Sequence, residues 1–165
     1  MYRVTSSFPD QIINVEEAKG FLKISHYDDD HFIKNCISTA IETAENFLHC
    51  HICSKNIEVT IEVKAQEVEM PITPIKRIIE VRCDSTSDDI KDLCQIGLDK
   101  TTIILPDNVK GKVAFTYQTE RMHLAHLLKH ALMSHMEILY EKHVLSNEEL
   151  DQISNFYKPY RKILV

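Results

Sequence analysis

Glycine is nearly missing from this chain, with three residues in 165, and tryptophan is absent altogether. So little glycine argues against loops that cradle phosphates with their backbone amides, and neither a P-loop nor a dinucleotide fingerprint is present. No apolar run approaches the roughly 20 residues that a membrane span requires, and the opening MYRVTSSFPD lacks the apolar core of a secretory leader. The chain is therefore expected in the cytoplasm. Positive charge is also short. Lys and Arg number 19 against 25 Asp and Glu, a net charge of −6 with histidines neutral. Affinity for a nucleic-acid backbone is built from clustered cations, so phosphate binding is not the main business of this surface. An acidic balance suits a channel along which DNA slides without sticking, although composition by itself shows no pore. The cysteines are five, an odd number, and their spacings are not those of a small disulfide scaffold, so reduced thiols are expected. No G-x-S-x-G elbow is present and no cysteine stands in a local catalytic signature, so the residues offer no candidate for nucleophilic catalysis and no cofactor site is read from them.

What the chain does have is a long amphipathic pattern from Asp28 to Leu48. Phe32, Ile33, Cys36, Ile37, Ala40, Ile41, Ala44, Phe47 and Leu48 recur at the spacings that put them on one stripe of a helix, and Lys34, Asn35, Ser38, Glu42 and Glu45 take the other side. Asp28 is expected to cap the first free amides, with Asp29 and Asp30 placed favourably for the helix dipole. Before it, Asn14 opens a short helix whose capping box is completed by Glu17.

From about residue 57 the period changes to two. Ile57, Val59, Ile61 and Val63 alternate with Glu58, Thr60 and Glu62, and further β-rich runs follow at 75–83, 93–98, 101–105 and 112–118, with the polar stretch 84–92 between them read as a loop. Helical period returns from about Arg121, where Leu124, Leu127, Leu128, Ala131, Leu132, His135, Met136 and Leu139 form a wide apolar face. Ser146 with Glu149 makes a second capping box and opens a last helix ending before Pro159. The expectation is an α+β fold: a helical body of about four helices with a small antiparallel β-sheet inserted between the second and third. It is one domain over 1–165, with an arm over 1–13, a helix pair over 14–48, a β region over 56–118, helices over 121–156 and a tail over 157–165.

Two clusters invite a metal reading. His49, Cys50, His51 and Cys53 fall within five residues, but no second knuckle at a suitable distance completes a structural zinc site. His123, His126 and His130 follow i, i+3, i+7 and would share one helical face, which a solvated stripe satisfies equally well, and no accompanying carboxylate is placed as a zinc hydrolase needs. A small zinc-binding or regulatory interaction domain built on these residues is the alternative function. The tail YKPYRKILV groups Tyr157, Lys158, Pro159, Tyr160, Arg161 and Lys162, two tyrosines and three cations, into an interaction segment lying on its own subunit or a neighbour.

The order of these parts resembles the phage head-tail connector family, the DNA-packaging or adaptor proteins of prophages and gene transfer agents. Glu17-Ala18-Lys19, Leu22-Lys23-Ile24, Asp29-Asp30 and Ala44-Glu45 stand where that family has a capped helix, a basic-aliphatic step, an acidic pair and a long helix ending in an acid. At the other end Pro159-Tyr160-Arg161 matches its closing motif. The loops at His49–Cys53 and Tyr117–Arg121 depart from the family pattern. The resemblance implies a non-enzymatic structural subunit that forms a ring with copies of itself, about twelve, beneath the portal protein. Such a ring extends the channel for DNA, which passes without sequence-specific binding, and offers a platform to a tail-completion or stopper protein. It implies a place at the head-tail junction of the virion and no membrane partner.

Overall fold

A computed structural model describes residues 2–83, 86–123, 126–142 and 145–161. The architecture is α+β, and the chain packs as two compact units. A sheet unit is drawn from Met1–Ser7 and Ser54–Arg121, and a helical unit from Phe8–Cys53 and Met122–Val165.

In the sheet unit the described residues form eight strands: β1 (Tyr2–Ser7), β2 (Lys55–Val63), β3 (Glu67–Glu69), β4 (Ile75–Cys83), β5 (Thr86–Asp89), β6 (Gln95–Ile96), β7 (Thr102–Ile104) and β8 (Gly111–Thr119). They build a five-stranded sheet in the order β1-β2-β8-β4-β5 and a three-stranded one in the order β3-β7-β6. All the pairings are antiparallel. β8 is the centre of the larger sheet, and its alternate residues Val113, Phe115 and Tyr117 are fully buried. Phe115 lies opposite Val59 on one side and Val81 on the other, and Tyr117 opposite Ile57 and Ile78, so register is pinned by apolar pairs on one face.

Tyr117 also carries a polar duty. Its hydroxyl donates to the Ile72 carbonyl at 3.0 Å and accepts from the Ile72 amide at 3.3 Å. Burial pushes that phenol up to about 12. Replacing Tyr117 with phenylalanine leaves both buried Ile72 groups without this partner. The expected loss is about 1–3 kcal/mol, to be measured by urea unfolding of the whole chain.

Several strands differ from the expected ones. The N-terminal arm is divided: Tyr2–Ser7 is an edge strand on β2, a 3₁₀ turn follows at Pro9–Gln11, and Ile12 and Ile13 enter the helical core. The stretch expected as a loop contains β5, because Asp89 ties it back to β4. The Asp89 carboxylate accepts from the Val81 amide at 2.9 Å and the Lys91 amide at 3.0 Å, and these amides, Val81 foremost, hold its pKa below the usual range. The run at 93–98 supplies only the two residues of β6, since a 3₁₀ turn takes Lys91–Leu93 and a tight turn takes Gly97–Lys100, where the Lys100 amide donates to the Gly97 carbonyl at 2.9 Å.

The helical unit contains α1 (Val15–Leu22), α2 (Asp30–Leu48), α3 (His126–Glu141) and α4 (Asn147–Tyr157). Seven of the nine stripe positions of α2 are buried: Ile33, Cys36, Ile37, Ala40, Ile41, Ala44 and Leu48. Phe32 and Phe47 lie at the stripe's margin, Phe32 against Tyr140 and Phe47 against Tyr157. α2 packs chiefly against α3, whose Leu128, Ala131, Leu132 and Met136 fill the other side of the core. α3 begins at His126, five residues later than Arg121, and ahead of it the Met122 amide donates to the Ile52 carbonyl at 2.9 Å. Leu124 lies outside the described residues.

Candidate interaction surfaces

The helix starts show where local sequence rules apply and where tertiary contacts displace them. Asn14 accepts the Glu17 amide at 2.8 Å, while the Glu17 carboxylate turns to Lys129 on α3 at 2.7 Å. The box at α4 is reciprocal: the Ser146 amide donates to Glu149 at 2.7 Å, and the Glu149 amide donates back to the Ser146 hydroxyl.

Asp28 does not cap α2. It sits in a turn, the helix opens at Asp30, and Asp29 at the cap position makes no side-chain cap bond. The acidic residues serve longer-range partners instead. Asp29 accepts the Tyr140 hydroxyl at 2.6 Å, and Asp30 pairs with Lys19 at 3.0 Å. Lys19 is only 4% exposed and also lies over the Tyr27 ring at 3.8 Å. Burial works against its charge, but the Asp30 carboxylate outweighs it and holds the ammonium above its ordinary range. The pair fastens α1 to the start of α2.

The end of α2 is closed by a residue expected on the solvent side. Glu45 is buried, and one carboxylate oxygen accepts from the Ile52 amide at 2.7 Å and the Cys53 amide at 3.2 Å, with the Cys53 thiol at 3.5 Å. His49 takes a left-handed conformation and donates its amide to the Glu45 carbonyl. The His49–Cys53 cluster is thus a helix terminus wrapped around a buried acid, and Cys50 and Cys53 are in no disulfide. A carboxylate in the last turn of a helix opposes the dipole, which was the available hint that Glu45 had a specific partner.

His123 precedes α3, so the three histidines share no helical face. His130 stands edge-on to Phe21 at 5.7 Å, and His126 and His123 are exposed. Among the described residues, no three or more His, Cys, Asp or Glu side chains are arranged to hold a metal ion. Among the described residues a histidine outside this triplet, His135, is buried, and its Nδ1 shares a 2.9 Å hydrogen bond with the Tyr157 hydroxyl. Burial pulls the imidazole down to about 4.

Tyr157 does not belong to an exposed tail. It is fully buried and completes the α4 face that starts at Ile153. The spacing i, i+4 from Ile153 already placed it there, but its position beside Lys158 and Pro159 read as tail. Lys158–Tyr160 form a 3₁₀ turn with Lys158 and Pro159 exposed, Tyr160 half-buried against the helical core, and Arg161 over the Phe47 ring at 5.5 Å. Lys162 lies outside the described residues.

In the sheet unit several apolar side chains stand exposed. Tyr2 and Val4 on β1 face the same way as buried Val59 and Ile57, yet remain 45% and 41% exposed. Leu98 stands fully exposed at the tip of the Gly97–Lys100 turn, whose conformation is fixed by Asp99 accepting the Thr101 amide at 3.0 Å. Two adjoining grooves of about 490 and 460 Å³ lie beside Ile61 and Glu62. The buried thiol of Cys36 and the half-buried thiol of Cys94 are pushed up by desolvation, away from the thiolate form that nucleophilic chemistry requires. No helix among the described residues is long and apolar enough to cross a membrane.

No protein-family model matches the chain, and no curated protein matches it in sequence. Solved structures do match in fold. A chain in the neck of a native gene transfer agent particle, computed with C12 symmetry, is similar over 95% of this chain and 94% of its own, with a TM-score of 0.59 at 14% identity. One in the neck of an empty particle, computed with C6 symmetry, gives 0.62 at 15% identity over 88% and 86%. One in the native virion gives 0.57 at 12% over 95% and 94%. At these identities the likeness is one of fold.

Proposed function

We propose that this chain is a structural, non-enzymatic subunit of the neck of a phage-like particle, forming a ring that joins the portal to the tail and extends the DNA channel during head completion. The observation that carries the reading is the likeness to neck chains across nearly the full length of both proteins, sheet unit and helical unit together. It agrees with the order of motifs in the sequence, which resembles the head-tail connectors. Its partners are copies of itself, about twelve in a closed ring, the portal protein, a tail-completion protein, and DNA that passes an acidic wall without sequence-specific binding. The chain acts at the head-tail junction and is made in the host cytoplasm.

A ring contact is heterologous, so each subunit offers two unlike faces. Lys158, Pro159, Tyr160, Arg161 and Lys162 belong to one of them, reaching a neighbour or the portal, whereas Tyr157 anchors the segment from inside. Electron microscopy of the purified chain mixed with the portal protein of the same genome tests the proposal. A ring added to one end of the portal is the expected result.

A further inference from the structure

The larger sheet is incomplete along β2. β1 accompanies it only as far as Tyr2, opposite Val59, while on the other side β8 continues to Gly111, opposite Val63. Among the described residues, no strand lies against the β1-side edge of Ile61, Glu62 and Val63. The two grooves open there, between that edge, Tyr2 and the β3 segment. Their apolar lining includes Val59, Ile61, Val68 and Met70, and three exposed carboxylates, Glu62, Glu67 and Glu69, outnumber the one lysine, Lys64. An open strand edge over an apolar floor accepts an extended segment by strand addition, with main-chain hydrogen bonds supplying affinity and alternate side chains supplying selection. The carboxylates select for a cation.

We propose that the occupant is residues 162–165, Lys-Ile-Leu-Val, of a second copy of this chain. Lys162 answers the carboxylates, and Ile163, Leu164 and Val165 are apolar residues that suit a strand over an apolar floor. Four extended residues span about 13 Å, the length of β2 from Thr60 to Val63. The root of the segment is held on its own helical unit by buried Tyr157, half-buried Tyr160 and the Arg161–Phe47 stack. A basic tail and an acidic groove are unlike partners, as a heterologous ring contact requires. The inference rests on the ring reading for the presence of that second copy.

The test uses a labelled synthetic peptide, YKPYRKILV, titrated by fluorescence anisotropy into three dilute full-length chains: wild type, Lys162→Glu, and Glu62→Lys with Glu69→Lys. Both glutamates are exposed, and equal thermal midpoints establish that the last variant is folded. Saturable and similar binding to the first two is expected, with affinity lower by about tenfold or more for the third. Absence of binding, or binding indifferent to the two glutamates, overturns the proposal. So does wild type binding far more weakly than Lys162→Glu, which would place each tail in its own groove. Rings that still form on the portal when the peptide fails to bind would remove this contact and leave the ring reading standing.

Discussion

Replacing Glu45 with alanine is expected to destabilise the helical unit by about 3–5 kcal/mol, because two backbone amides would lose a charged acceptor in a buried site. Ile52 is fully buried and Cys53 nearly so, and with the carboxylate gone water cannot reach their amides without opening the end of α2. Glu45→Gln keeps a side-chain oxygen for the Ile52 amide and is expected to lose less than half as much. Urea unfolding followed by far-ultraviolet circular dichroism measures both. An alanine variant with the wild-type midpoint would show that the loop after α2 is held by something else. The acid at this place in the sequence motif, Ala44-Glu45, then has a mechanical meaning: it ends the long helix and orders the turn that leads into β2.

The second large effect is a loss of stability in mild acid. His135 is 2% exposed, and burial lowers its pKa from 6.5 to about 4. The folded chain therefore holds the ring neutral, while the unfolded chain protonates it near pH 6.5. Between pH 6.5 and about 4 the unfolded state binds more protons, so stability falls as pH falls. Integrated across the window the loss is about 3 kcal/mol. Below about pH 4 the term is constant. Carboxylates whose folded pKa is depressed by hydrogen bonds, such as Asp89, Asp99 and Glu149, contribute stability that is lost only as pH falls through those lower values, so they leave the upper part of the window to the histidine. His135→Gln removes the titration and can still bond to Tyr157. Its unfolding free energy is expected to be flatter than that of wild type between pH 6.5 and 5, and parallel curves would count against the assignment.

These two residues illustrate what the sequence discloses. The stripe of α2, the apolar face of α3 and the alternation in β2 are local periodicities, and a period of 3.6 or 2 is written in adjacent residues. Asn14 and Ser146 are legible for the same reason, since a cap and its amide lie three residues apart. Asp28, Asp29 and Asp30 fit a capping pattern equally well, but Asp29 is engaged by Tyr140, 111 residues away, and Asp30 by Lys19. Nothing local distinguishes a carboxylate that caps from one that reaches a distant partner. β5 was hidden because its sequence is polar, and the bond that ties Asp89 to the Val81 amide is not a periodic pattern. The histidine triplet failed on a boundary, since the i, i+3, i+7 arithmetic holds only if His123 is helical. Tyr157 failed on context, because cations and a proline beside it made a core residue look like part of a tail. The surface features, an exposed Leu98 and a groove beside an unfilled edge of β2, depend on which strands pair and where pairing stops. No linear pattern reports that.

The central claim is that this subunit closes into a ring on a portal, and the symmetry of that ring is its most direct test. Electron micrographs of the chain mixed with the portal protein of its own genome are expected to show, in end views, a closed ring of about twelve subunits. In side views a new layer should appear at one end of the portal. Portals that remain bare, or that carry scattered density without rotational symmetry, would contradict it.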